Sequence, residues 1–359
     1  MKKAILLLAV MIVLFTGCGK GTEGKNDNTG DNLGSPEPTS IPADEVNTDD
    51  NAPEASPEPS LEPSPDGTDI IDNPSPLTGL ELEGPYQPIA VMVENLAAAR
   101  PHSGVIDADL VYEAHVEGGI TRFLAIFLSR SPKVVGPVRS LRHYYMWMGL
   151  EWDVLLVHNG QSFIAEDRFD EIPVKRVNGL KTGKPFWRDN SRKTPHNLYT
   201  SIESLREYVD FEQKAEGFDF TSSVAWDGEE YRSIEIPYNK VNNIVTYKYD
   251  PDTRLNYRYI NGEADVDRET GKQISARNII IQYADHSMLE PGAGYRDVAM
   301  IGKGRAQFFA EGRFAEGTWE RASQEDRTIF YDSGKNEISL VRGNTWVQVV
   351  QNSMEVSID

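Results

Sequence analysis

The sequence predicts an α+β body, with an N-terminal mixed α/β domain followed by a β-rich C-terminal domain. Up to about residue 221, short apolar runs that read as buried strands alternate with stretches of helical spacing. From residue 222 onward, β-branched and aromatic runs recur between Asp-Gly and Asn-Gly turns. Residues 19–75 contain no Trp, Tyr or Phe, so they cannot bury enough apolar surface to offset their ordering entropy. The expected segments are therefore 1–18, 19–75, 76–221 and 222–359.

Element by element, Ile89-Ala90-Val91-Met92-Val93 is a short, wholly apolar run and reads as a buried strand. Asp109–Glu117 and Thr121–Leu128 read as two more, with Gly118-Gly119 as a two-residue hairpin loop. Leu141–Trp152 reads as an apolar helix and Val154–Val157 as a fourth strand. Ser162 is placed to cap a helix reaching about Asp170. Apolar residues at 198, 202, 205 and 208 predict a further helix over Asn197–Phe211. In the second domain, strands are expected around Ile234–Ile236, Ile244–Tyr249, Tyr257–Ile260 and Ile279–Tyr283. More follow at Ala306–Phe309, Gly317–Trp319, Thr328–Tyr331, Ile338–Val341 and Trp346–Val350.

The N-terminal segment carries its own signal. Lys2 and Lys3 precede an apolar run from Ala4 to Phe15, which Thr16-Gly17-Cys18 closes. That run is short of the ~20 residues a spanning helix needs, and it reads as an export signal. Cys18 is the single cysteine of the chain, at the place where a lipoprotein signal peptidase cuts. A diacylglycerol on its thiol, with or without a third chain on the freed amine, anchors stably. With no second cysteine there is no disulfide, and the body must fold on its core alone. Residues 19–75 hold 14 acidic residues against two lysines and are rich in proline. They read as a disordered acidic tether spanning roughly 40 Å as a coil, and more when stiffened by proline and like charge. The expected location is the extracytoplasmic face of the cell membrane, lipid-anchored through Cys18.

The formal net charge is −20, unevenly spread. Residues 100–196 carry 14 Lys and Arg against 11 Asp and Glu, whereas residues 197–359 carry 18 against 28. A locally basic segment in an acidic chain suggests an anionic ligand or partner for that segment. It argues against nucleic-acid binding, which calls for a broad basic footprint.

Three constellations in that segment carry candidate chemistry. In a two-residue hairpin, Glu117 opposes Ile120 and His115 opposes Arg122. Glu113, His115, Glu117 and Arg122 then share one face near the turn, either as a charge network or as a ligand site. Gly136-Pro137-Val138-Arg139-Ser140-Leu141-Arg142-His143 places Arg139 and Arg142 beside an expected helix start. Free N–H groups there, with two arginines, form a plausible anion cradle; a capped helix with locally paired arginines is the bland alternative. The third is the loop Arg188-Asp189-Asn190-Ser191-Arg192-Lys193-Thr194-Pro195-His196-Asn197, in which Asn197 also reads as a cap for the following helix. Arg100 and His158 complete the candidate ligand-binding set: Arg100, Glu113, His115, Glu117, Arg122, Arg139, Arg142, His158, Arg188, Arg192 and His196. No Gly-x-Ser-x-Gly elbow surrounds Ser162, and there is no P-loop, dinucleotide fingerprint or His-Glu-x-x-His. His-x-Glu lacks the paired cysteines of a zinc deaminase. No cofactor and no metal are expected.

The segments Arg100-Pro101-His102-Ser103-Gly104, Ala108-Asp109-Leu110-Val111-Tyr112-Glu113 and Glu117-Gly118-Gly119-Ile120-Thr121-Arg122-Phe123 have a further use. With Gly136-Pro137-Val138-Arg139-Ser140 and Pro195-His196-Asn197-Leu198-Tyr199, they resemble the YerB-like lipoprotein family. Gly302-Lys303-Gly304, Gly317-Thr318-Trp319 and Thr345-Trp346 resemble the second domain of that family. The resemblance covers roughly residues 76–352 and implies two domains and surface exposure. It supplies no reaction and no catalytic residues.

Two functions remain open on these grounds. One is a non-catalytic envelope factor that binds an anionic wall polymer, a lipid-linked precursor or a wall-synthesis protein, with the tether supplying reach. The other is an enzyme, hydrolase or transferase, acting on a phosphate- or carboxylate-bearing envelope substrate. Convergence of the candidate residues in one concave pocket separates them.

Overall fold

The computed structural model describes residues 71–211, 217–289 and 294–359. The expected leader, Cys18 and nearly all of the tether lie outside the described residues. The principal strands of the first half are β1 (Ile89–Glu94), β2 (Leu110–His115), β3 (Thr121–Phe127), β4 (Leu155–His158) and β5 (Arg176–Asn178). Those of the second half begin with β6 (Ser233–Asn239), β7 (Asn243–Asp250), β8 (Leu255–Ile260) and β9 (Asn278–Ala284). They continue with β10 (Gly302–Ala310), β11 (Arg313–Arg321), β12 (Ile329–Asp332) and β13 (Thr345–Gln351). Every residue of β1, β2 and β3 is buried, which is why their sequences are nearly continuous apolar runs.

Both halves build one large sheet. Its 11 strands run in the order β12-β11-β10-β9-β13-β2-β3-β1-β4-β5, with Glu229–Glu230 pairing on β11. The seam is a parallel pair, β2 against β13, from Leu110 opposite Thr345 to Ala114 opposite Val349. Strands from both sides of residue 221 are thus hydrogen-bonded in one sheet, and the described residues fall in one compact unit. A second sheet of six strands is built on β6, β7 and β8.

The large sheet is apolar on both faces. On one, Tyr112, Leu124, Ile126, Ile280, Phe308 and Val347 pack with Tyr144, Tyr145 and Trp152. On the other, Val111, Phe123, Ile281 and Trp346 pack with Ile234, Ile236, Val245 and Tyr247 of the second sheet. Helix is confined, among the described residues, to short segments: α1 (His143–Leu150), α2 (Phe163–Asp167), α3 (Ile202–Leu205) and single 3₁₀ turns. The body is strand-rich throughout.

Three local expectations are corrected. The β2–β3 loop has three residues, Glu117-Gly118-Gly119, and Val116 N–H donates to Ile120 O at 2.8 Å. Gly118 and Gly119 take φ of +74° and +69°, which L side chains resist. His115 therefore opposes Thr121, and Ala114 opposes Arg122. A one-residue slip in register moves every side chain to the other face. Arg122 turns toward α1, and Glu113 and His115 toward the second sheet. The four hairpin residues do not share a face.

The second correction concerns the expected anion cradle. Gly136 to Arg139 runs extended, bridging Val93 through Val138, and Arg139 N–H donates to Met92 O at 2.9 Å. A Cβ on Gly136 would lie 2.9 Å from Leu198 O, so glycine permits this close approach. Helix α1 starts only at His143, with Arg142 as N-cap and no side-chain cap. Arg139 is thus not beside free helical N–H groups. Third, the expected helix over Asn197–Phe211 begins as a strand pair, with Leu198 and Tyr199 against Arg188 and Trp187. Val138 N–H donates to Leu198 O and Val135 N–H to Thr200 O, which holds that backbone extended. Helix appears only after Ser201, whose hydroxyl accepts from Ser204 N–H. Asn197 is not a helix cap; its Oδ1 accepts from Arg188 at 2.7 Å.

Candidate functional site

Strand β1 ends its apolar run on a carboxylate, and the site is built around that end. Glu94 is 1% exposed, so its charge needs partners. His196 Nδ1 lies 2.8 Å from Oε2, and Arg139 Nε lies 3.1 Å from Oε1, the latter without hydrogen-bond alignment. A carboxylate accepts only, so His196 carries its proton on Nδ1 and turns Nε2 away from Glu94.

Asn95, the next residue, positions Arg100. Its Oδ1 accepts from Arg100 Nε at 3.0 Å and its backbone O from Nη2 at 2.9 Å. Its amide donates onward to Glu113 Oε1 at 3.0 Å and Thr121 Oγ1 at 2.8 Å. Arg192 is held by two carbonyls, Ala99 O at 2.7 Å and Pro101 O at 2.6 Å. Arg100 and Arg192 thus hydrogen-bond neutral oxygens and have no direct ion-pair partner among the described residues. Burial, then the nearby Arg258 guanidinium, holds Arg100 below the usual arginine range. Together with Ala98, Lys193, Thr194 and His196 they line a cleft of about 520 Å³. No carboxylate lines it among the described residues. The loop carrying Arg192 and His196 is tied down by Arg268, which reaches Asp189 Oδ2 at 2.6 Å and Ser191 Oγ at 3.1 Å.

Of the sequence candidates, Arg100, Arg192 and His196 meet in this cleft, and Arg139 stands behind it through Glu94. The others lie elsewhere. Glu113 is fully buried between the sheets, where Oε2 accepts from Arg258 Nη2 at 2.7 Å and Oε1 from Thr121 at 2.6 Å. Arg258, also fully buried, closes the triad with Asp265, and those two carboxylates push it above the ordinary arginine value. His115 Nε2 lies 2.8 Å from Tyr238 O, and burial lowers its pKa. Glu117 takes Arg142 at 2.6, 2.7 and 2.9 Å in a bidentate pair at the hairpin turn. Arg122 donates to Ser140 O at 2.5 Å; burial and then Arg142 push its pKa down to about 10. Arg122, Arg139 and Arg142 therefore do not form one cationic surface. His158 is buried against Gly160 O at 2.7 Å, with its pKa pushed down to about 4 by burial. Arg188 donates to Asn197 Oδ1 at 2.7 Å and does not line the cleft. Among the described residues, no group of three or more His, Cys, Asp or Glu could hold a metal ion.

Sequence reasoning missed Glu94 and Arg258, and left Lys193, quoted within the third loop, out of the candidate set. A signal existed for the first two: a carboxylate closing Ile-Ala-Val-Met-Val needs a buried partner, and Arg258 sits at the inward parity of β8 between buried Asn256 and Ile260.

Comparison with known proteins agrees with this architecture. Residues 77–216 match the N-terminal domain, and residues 234–347 the C-terminal domain, of a protein family of unknown function, DUF3048. YerB of Bacillus subtilis strain 168, a lipoprotein candidate by name, is 36% identical over 295 residues, covering 79% of this chain and 88% of its own. The crystal structure of YerB from Bacillus subtilis superposes with a TM-score of 0.71 at 34% identity, over 79% of this chain and 99% of that one. The two matched regions share one sheet in this chain through the parallel β2–β13 seam, and the chain belongs to the YerB-like family.

Proposed function

We propose that this protein is a surface-anchored lipoprotein that binds an anionic component of the cell envelope in the Arg100–Arg192–His196 cleft. One observation carries the reading: two guanidinium groups, fixed by neutral oxygens, face a cleft that also holds Lys193 and, among the described residues, no carboxylate. A cation held without a counter-charge gains more from an anionic ligand than one already paired. The lipid anchor at Cys18 and the acidic tether fit a body working close to the membrane on its outer face. The name of the Bacillus subtilis relative supports the anchor. No helix among the described residues is long and apolar enough to cross a membrane. The wall polymer, lipid-linked precursor and wall-synthesis protein all remain within this reading, and the phosphate-rich polymer suits the cations best.

Co-sedimentation with purified cell walls tests the site. The full-length wild type is expected in the wall pellet at low salt and to be released at high salt, since counterion screening weakens such contacts. The Arg100→Ala/Arg192→Ala variant should stay in the supernatant. A folded double variant that pellets like wild type sinks the proposal. For the anchor, Cys18→Ala should abolish lipid labelling and membrane retention; unchanged fractionation contradicts it.

A further inference from the structure

The cleft pairs two unlike recognition elements. On one side stand Arg100, Arg192 and Lys193, which attract an anion. Arg100 Nη1 has no hydrogen bond among the described residues, its Nε and Nη2 being the bonded atoms. Three cations around one opening match a phosphoryl group, with up to three free oxygens, better than a carboxylate with two. On the other side stands His196, whose side chain is 18% exposed. Its Nδ1–H is committed to Glu94 at 2.8 Å, and Nε2 has no partner among the described residues. In the neutral ring that atom is an acceptor. Glu94 faces the other edge of the ring and is shared with Arg139.

A bare phosphoryl oxygen is also an acceptor and does not suit Nε2 of the neutral ring. A hydroxyl beside the phosphoryl group does. We infer that the ligand of this cleft is a phosphorylated polyol, with its phosphoryl group on Arg100, Arg192 and Lys193 and a neighbouring hydroxyl donating to His196 Nε2. The inference rests on the reading of the cleft as an anion site and adds to it the second half of the ligand. His196 is then a specificity determinant: it distinguishes a hydroxyl-bearing phosphate from an equally charged one without hydroxyls. Glu94 is the positioning residue that fixes its tautomer.

Titration calorimetry of the full-length chain in detergent tests this with two probes, glycerol 3-phosphate and n-propyl phosphate, which share charge and chain length and differ in their hydroxyls. It is run at about pH 8, to favour a neutral imidazole. Wild type should bind glycerol 3-phosphate about three- to tenfold tighter, the worth of one added hydrogen bond. His196→Phe should bind both equally, at the level of propyl phosphate. His196→Gln, whose side-chain oxygen still accepts, should retain part of the preference. Thermal melting confirms that each variant is folded. Equal affinity of wild type for the two probes, or a preference that survives in His196→Phe, overturns the inference while leaving the anion site standing. If neither probe binds, or a folded Arg100→Ala/Arg192→Ala variant binds both as wild type does, the anion site itself falls.

Discussion

Arg258 and the pair Arg100/Arg192 are held in opposite ways. Arg258 has no exposed surface and faces two carboxylates, Glu113 and Asp265, which raise its pKa against the cost of burial. Arg100 and Arg192 sit at an opening and bond an amide oxygen and backbone carbonyls. Asn95 joins the two regions, touching Arg100 with its oxygen and Glu113 with its nitrogen. The balanced arginine holds the two sheets together, whereas the unbalanced ones are poised for something from outside. A neutral acceptor alone does not mark a ligand-facing arginine, since Arg122 and Arg188 also bond neutral oxygens; Arg100 and Arg192 combine such acceptors with a place at the cleft.

The contrast breaks first at Arg258. Arg258→Ala leaves Glu113 and Asp265 buried without a counter-charge, and the expected loss is about 3–5 kcal/mol of folding stability. Denaturant midpoints check this; a loss below about 1 kcal/mol contradicts the structural role. His158 offers a smaller effect with a pH signature. Its folded pKa is pushed down to about 4, against about 6.5 for an unperturbed imidazole. The unfolded chain then binds this proton first, so stability is fully present above about pH 6.5 and is lost as pH falls toward 4. The slope is about 1.4 kcal/mol per pH unit across that window. The stability of wild type relative to His158→Asn should fall with that slope, and a gap independent of pH would refute it.

The smallest effect is expected at the hairpin turn. Arg142 is bidentate to Glu117 near the surface, with side-chain exposures of 11% and 22%. Arg142→Ala should cost about 1 kcal/mol, because partly solvated pairs contribute little, and should leave anion binding alone.

The sequence made some of this legible and hid the rest for identifiable reasons. The strands of the second half were readable because β-branched and aromatic runs lie between Gly-containing turns; Ile234–Ile236 and Ile279–Tyr283 fall inside β6 and β9. The apolar run beginning at Ile89 located β1. The hairpin register was not readable, because Gly118-Gly119 serves a two-residue or a three-residue loop, and one residue decides which face Arg122 takes. The segment from Asn197 carried a true helical spacing that was overridden by backbone bonds to Val135 and Val138, partners some sixty residues away. The cleft was half legible. Arg100, Arg192 and His196 stood out as polar loop residues, but their convergence depends on Glu94 and Asn95 at the end of β1. Arg139 and Arg142 drew attention equally, and nothing local revealed that Glu94 and Glu117 occupy them.

The most direct measurement is the affinity for n-propyl phosphate of three full-length proteins: wild type, Arg100→Ala/Arg192→Ala and Arg142→Ala. Charge-assisted contacts contribute about 1.5–3 kcal/mol each, so the double variant should bind on the order of a hundredfold more weakly or worse, while Arg142→Ala binds like wild type. Equal weakening by Arg142→Ala, or full affinity in a folded double variant, would contradict the division between balanced and unbalanced arginines.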